Sequence, residues 1–535
     1  MIERIVEDWL TSTSERGYQI PFCQCLMYEG YTILHISKHG QMEQGKDIIA
    51  IDPSGTVCTY QLKTGDINLA RWRSMQGEIQ DLVELPVAHP AVDKNKPVQP
   101  FLVTNGMIDD PVRRWIADRN KYWEELGLRK VNLLVKTQLL RKFIDAAGSF
   151  FPEEPLRLKE FLELYLIDGR SLPDKDKLAS FVEHLLGQGA RLIKSPHDFR
   201  RRVSGAAVIA QYLFSPFEKE HNHVAIVECW IRYLASVLAL AEREMVSQEV
   251  YSGTYEIIVK RIVEQLDDLK TEFFSRQNYL EEPSIGDGGI VYKARLTMVL
   301  AWLCALQLFD LKLNGSAKRD ERIIQVIKGN HNDWLWYWGQ SATPYHLIIS
   351  LFCEVMKESE LSWSIMLKVL ADLSLQDVLE KSMPDFVSNI PDPYVQVEQC
   401  IGAEMKLPGF IEREYAASLS YHLSPIVYFA VRRNKRTSLN ELWRRISKTP
   451  LCEYSPRHKW HYLLWRSNEG KEKTWFFDAA QSWRKLNELA NQKDSTLPAI
   501  IYDHPEFLYF FLLVYPHRLT SESLRLMDEW VHFVR

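Results

Sequence analysis

The sequence predicts an α/β N-terminal domain, a mixed sheet flanked by helices, followed by a large mainly α-helical region. Three observations carry this. Between Tyr31 and Thr137 short β-branched runs alternate with helical patterns; beyond Phe151 the chain turns to long amphipathic segments rich in Leu, Trp and Tyr. The composition, 46% hydrophobic and 25% charged, is that of a globular chain able to bury cores, and 535 residues imply more than one of them.

The elements follow in order. "MIERIVEDWL" opens the chain with acids among its apolar residues, without the basic-then-apolar order of a secretory signal. An apolar helix carrying Cys23 and Cys25 leads into "YEGY", and buried structural thiols are the expectation there. The runs "YTILHIS", "KDIIAID", "TVCTYQLK", "PFLVT" and "KVNLLVK" read as strands, with helices between the later ones. "DPSG" at Asp52 to Gly55 is turn chemistry, because Pro sets φ at the first turn position and Gly relieves a later one. The strands on either side of it should form a hairpin. "FPEEPLRLKEF" marks a boundary, giving a domain at 1–150, a helical domain at 151–395 and a helical C-terminal domain at 396–535, either separate from the one before or continuous with it. Helices are expected over Leu178 to Leu186, Ala225 to Val246, Tyr255 to Phe274, Val291 to Leu311, Trp363 to Leu370 and Pro505 to Tyr515. No fixed internal period marks a helical repeat.

Charge and cysteine usage narrow the function. A net charge of −5 excludes a strongly basic coat, and residues 1–150 hold 18 Lys and Arg against 19 Asp and Glu, so nucleic-acid contact needs local patches. The most apolar windows, "MVLAWLCALQLF" and "FLYFFLLVY", fall short of the ~18 to 20 residues that cross a bilayer, so no membrane association is expected. Eight scattered cysteines without C-x-x-C pairs argue against zinc and for a reducing cytoplasm.

"GQMEQGK" at Gly40 to Lys46 fits the spacing of a phosphate-binding loop. That loop needs Ser or Thr after its Lys and a helix behind it, whereas Asp47 and the strand "IIAID" follow here. "SIGDGG" at Ser284 to Gly289 follows no strand and reads as a loop between helices. The same hairpin offers a different site. Asp47 starts one strand, while Gln61 and Lys63 stand two apart on the next and share a face. A carboxylate beside an acceptor oxygen suits a hard divalent cation such as Mg²⁺, and a nearby lysine can steady a water or developing charge.

The order helix, "GYTILH", "GKD", strand, turn, "YQLK" resembles the PD-(D/E)xK nuclease superfamily, and Gln before the Lys is similar to its Mrr-like restriction endonuclease branch. The resemblance covers about Tyr18 to Lys136. It implies a restriction-endonuclease-like core, Mg²⁺ dependence with Mn²⁺ able to substitute, and DNA cleavage. It assigns Asp47 as metal ligand, Gln61 to the variable acidic position and Lys63 as the catalytic lysine. The branch often supplies a glutamate from its first helix; counting back from "GY" reaches Gln19, with Glu15 one turn earlier, and Glu43 offers another carboxylate. "FLVTNGMIDDPVRRWI" is similar to the later strand and helix of such domains.

Outside this region "VRRNKRTSLNELWRRISK" (Val431 to Lys448) holds seven Lys or Arg against one Glu, and "RHKWHYLLWR" (Arg457 to Arg466) follows it. Basic residues among Trp, His and Tyr suit a groove that tracks phosphates, which nominates Arg432, Arg433, Lys435, Arg436, Arg444, Arg445 and Lys459; a solvated helix face over a buried Trp gives the same pattern. "DFRRR" (Asp198 to Arg202) is a weaker patch, and "HNH" at His221 to His223 is expected in a loop or at the surface. The expected function is a Mg²⁺-dependent DNA endonuclease effector in prokaryotic restriction or anti-phage defence, with a homo-oligomer or partner protein engaged through the helical region. The alternative is a nuclease-like scaffold without activity.

Overall fold

The structure is a computed structural model that describes residues 2–534 apart from 38–44, 93–97, 153, 188–192, 277–278, 281–288, 314–318, 375–392, 395–396, 399, 401–418 and 468. The chain divides into two compact units, Met1–Ile262 and Val263–Arg535. The first unit therefore runs well past residue 150, and the expected split near 395 falls where little of the chain is described.

All five strand segments of the first unit form one sheet: β1 (Thr32–Ile36), β2 (Ile48–Ile51), β3 (Val57–Lys63), β4 (Val98–Thr104) and β5 (Asn132–Leu134). They lie in that order, with β1, β2 and β3 antiparallel and β3, β4 and β5 parallel. The turn at Asp52 closes the β2–β3 hairpin as its composition predicts. Asp52 Oδ1 accepts from the Ser54 and Thr56 amides at 2.9 and 2.8 Å, and Gly55 takes a φ of +87° that other residues resist. β3 is buried on both faces, as a central strand must be.

The helices of this unit are α1 (Ile2–Ser12), α2 (Glu15–Tyr28), α3 (Leu69–Glu84), α4 (Asp110–Glu125), α5 (Lys136–Gly148), α6 (Pro155–Tyr165), α7 (Lys175–Leu185), α8 (Pro196–Lys219), α9 (His223–Arg243) and α10 (Gln248–Ser275), the last of which continues past Ile262. On one sheet face Trp72, Met75 and Ile79 of α3 join Leu102 of β4 and Val112, Ile116 and Trp123 of α4 in one apolar core. On the other face Phe22 of α2 meets Tyr60 edge-on, and Tyr60 stacks on Phe101. The Thr-Asn pair ending β4 is structural: Asn105 Oδ1 accepts from the Gly65 amide at 2.6 Å, and its Nδ2 donates to Leu10 O at 2.7 Å. Helix α8 is part of the same body. Its Gly205 lies against Phe150 and Ala146, and Tyr212 packs on Trp9. Within "DFRRR" Arg201 donates to Tyr28 Oη at 2.6 Å and Arg202 to Leu186 O at 3.3 Å, while Arg200 and Arg201 remain exposed. His221 occupies the α8–α9 turn at φ +54°, while His223 begins α9 and is buried, against the surface expectation.

Among its described residues the second unit is helical apart from one small antiparallel ribbon, Leu451–Pro456 with Gly470–Trp475. Helices cover each segment expected there, including Ile290–Leu313, Ser359–Leu373 and Leu508–Val514. Two helices of the chain, His223–Arg243 and Ile290–Leu313, are long and apolar enough to cross a membrane, which the sequence windows did not anticipate; 94% and 83% of their apolar spans are buried within the protein. All eight cysteines are free thiols.

Candidate active site on the hairpin

Register brings the hairpin residues together. Ile48 pairs with Tyr60, and Asp47, one residue earlier, lies beside the end of β3 that carries Gln61, its amide donating to Tyr60 O at 2.8 Å. Gln61 and Lys63 share the sheet face covered by α3. Backbone atoms hold Asp47 tightly: its Oδ2 accepts from the Leu62 amide at 2.6 Å, and its carbonyl accepts from the Ser37 amide at 2.8 Å and from Gln19 Nε2 at 3.3 Å. Asp47, Gln61 and Gln19 are all buried. The donor end of Gln19 is therefore engaged, and Oε1 is its acceptor end.

Lys63 is the ion-pair partner of Glu78 on α3, at 2.7 Å, with the lysine side chain 15% and the glutamate 51% exposed. Tyr18 Oη donates to the Lys63 carbonyl at 2.8 Å. Burial holds that hydroxyl well above the usual phenol range, and the charges of Glu15 and Asp47 add to the effect. The half-buried Glu15 carboxyl is likewise raised, first by burial; the Lys63 ammonium pulls it down and Glu78 pushes it up. Glu15, Asp47, Lys63 and Glu78 thus form one electrostatic neighbourhood around Tyr18 and the end of β3. Of these, Glu78 escaped the sequence reading entirely, and Glu15 stood there only as a neighbour of Gln19. Glu43 lies outside the described residues.

The donor atoms here are oxygens, the type a hard divalent cation takes. Asp47 offers a carboxylate and Gln19 an amide oxygen, with Glu15 close by. Gln61 Oε1 is buried without a hydrogen-bond partner, a state that costs about 1–3 kcal/mol and that a cation would relieve.

Lys46 is not a phosphate-loop lysine, because β2 follows it where a helix would be required. It is buried and donates to Asp81 O at 3.3 Å; burial depresses its ammonium to about 8, against a smaller opposing effect from Asp81. The folded protein therefore holds this proton less tightly than the unfolded chain, where lysine titrates near ~10.4, and the charged form costs stability below pH 8. Lys46→Met should be more stable than the unmodified protein at pH 7, and that advantage should shrink as pH rises from about 8 to 10, read by urea unfolding at each pH. Next to it, Gly45 has φ +69°, and a Cβ there would meet Glu78 O at 2.4 Å. Gly45→Ala should lower the unfolding free energy by at least about 2 kcal/mol, from the left-handed backbone and the clash with α3 together, also read by urea unfolding.

The basic segment is corrected in part. The Arg432 and Arg433 side chains are only 9% exposed and turn inward. Arg432 Nε donates to Asp528 Oδ2 at 2.6 Å; Arg433 pairs with Glu354 through Nε and Nη2 and with Asp528 Oδ1 at 2.8 Å. Guanidiniums committed to buried carboxylates do not meet phosphates. Lys435 lies 5.2 Å from the Trp363 ring centroid, while Arg436, Arg444, Arg445 and Lys459 are exposed. No protein-family model matches the chain, and neither do curated proteins or solved structures.

Proposed function

We propose that the hairpin site makes this protein a Mg²⁺-dependent DNA endonuclease, with Asp47, Gln61 and Lys63 as its working residues. The observation that carries the reading is that Asp47 bonds β3 on either side of Gln61, at Tyr60 O and the Leu62 amide, with Gln61 Oε1 buried and unpartnered and Lys63 two residues along the same strand. Asp47 and Gln61 would hold the cation, assisted by Gln19 and Glu15. Bound Mg²⁺ supplies neutralisation of a phosphodiester and a more acidic water. Lys63 exchanges the Glu78 carboxylate for a phosphate oxygen and offers its ammonium to the charge that develops there. Tyr18 keeps the Lys63 backbone in place while the side chain moves.

The exposed Arg436, Arg444, Arg445 and Lys459 are the proposed phosphate contacts of the second unit, alongside a homo-oligomeric or heteromeric partner. Restriction or anti-phage defence in a prokaryotic cytoplasm follows from the nuclease resemblance, and eight free thiols suit that compartment. A second reading, an inactive scaffold, draws on the Lys63–Glu78 pair and on the two amides standing where carboxylates would bind a cation more strongly. Incubating plasmid and linear DNA with Mg²⁺ or Mn²⁺ tests the proposal. Cleavage abolished by EDTA is expected, and intact DNA with both metals would favour the scaffold.

A further inference from the structure

We infer that Lys260 is a positioning residue for Asp47, through which helix α10 sets the cation affinity of the hairpin site; the second clause rests on the function proposed above. β1 is an edge strand, paired only with β2, and strand ends at an edge are where a sheet opens first. Lys260 closes this end. Its ammonium donates to the carbonyls of Ile36 and of Ser37, the latter at 2.9 Å, from more than 220 residues away in sequence. Ser37 is fully buried, and its amide donates to the Asp47 carbonyl at 2.8 Å, the same oxygen that receives Gln19 Nε2. One short path of hydrogen bonds therefore runs from α10 through Ser37 to the backbone of Asp47 and on to Gln19.

Contacts on Asp47 from the hairpin and α2 include Tyr60 O, the Leu62 amide and Gln19. Ser37, which also bonds Asp47, is held at its own carbonyl by a charge-assisted bond from α10. Lys260 also binds the Ile36 carbonyl, which shares one peptide plane with the Ser37 amide that bonds Asp47, so displacing α10 tilts that plane. Outer partners of metal ligands change affinity by about 10- to 100-fold when lost, and Lys260 acts one hydrogen bond further out from Asp47, through Ser37.

The test uses the full chain with Lys260→Met, Lys260→Gln and Lys260→Arg. Two readouts are taken: amide hydrogen exchange at Ser37 and Asp47, and Mn²⁺ affinity by calorimetry, with Asp47→Ala as control. Lys260→Met should speed exchange at both amides and raise the Mn²⁺ dissociation constant about 10-fold. Lys260→Gln, which keeps one donor and spares the fold should Met disrupt it, should fall between, and Lys260→Arg should restore both readouts. Unchanged exchange at Ser37 and Asp47 overturns the positioning role, whether or not metal binds. Faster exchange with unchanged Mn²⁺ affinity overturns the link to the site. Mn²⁺ binding that Asp47→Ala leaves intact instead overturns the hairpin as the cation site, and exchange alone then decides the role of Lys260.

Discussion

Replacing Lys63 by Ala is expected to lower metal-dependent DNA cleavage by about 10²- to 10³-fold, the usual cost of removing one group that stabilises developing charge. The fold should survive. The Lys63–Glu78 pair joins a lysine near the surface to a glutamate that is half exposed, and such pairs contribute roughly 0–1 kcal/mol. The strand end is held independently, because Tyr18 bonds the Lys63 carbonyl rather than its side chain. Unchanged circular dichroism and melting temperature with lost cleavage would assign the effect to chemistry. A parallel fall in melting temperature would assign it to packing.

Removing the Asp528 carboxylate should be the most damaging single change in the second unit, costing about 3–5 kcal/mol in Asp528→Ala. Asp528 is 2% exposed and receives Arg432 and Arg433 together, and Glu354 shares Arg433. Taking away one carboxylate leaves two buried guanidiniums with Glu354 as their remaining acidic partner in this cluster. Their desolvation is then uncompensated, whereas the pairing energy alone would be modest. Urea unfolding of the full chain checks this through the loss of the transition that reports the second unit. Glu354→Ala should cost less, since Arg433 retains Asp528.

Much of the first unit was legible because its signals are local. Five β-branched runs bounded by turn residues became five strands, and the Asp52 to Gly55 turn fixes the hairpin register on which Asp47 and Gln61 depend. The partners that complete the site were not legible. Glu78 lies fifteen positions after Lys63 on a helix face that reads as ordinary solvated surface, and only the packing of α3 on the sheet brings the two together. Gly45 looked like part of a phosphate loop, yet its backbone is pressed against α3. The boundary at 150 followed a genuine change in composition, but α8 and α10 return to α2 and β1 through contacts between residues far apart in sequence.

The basic segment shows the same limit from the other side. Seven cations in eighteen residues look like a phosphate track, and periodicity cannot tell that two of them point inward. Their carboxylates, on Glu354 and Asp528, lie 79 and 95 residues from Arg433. Long-range pairing of this kind leaves no mark on spacing. Arg436, Arg444 and Arg445 are exposed.

We propose that Asp47 holds the cation on which phosphodiester cleavage depends. The most direct measurement is the rate of supercoiled plasmid cleavage in Mg²⁺ by the unmodified protein and by Asp47→Ala, with matched folding verified by circular dichroism. Cleavage by the unmodified protein that falls to background in Asp47→Ala is the expected result. Cleavage that continues at the same rate in Asp47→Ala would contradict the claim and move the chemistry away from the hairpin.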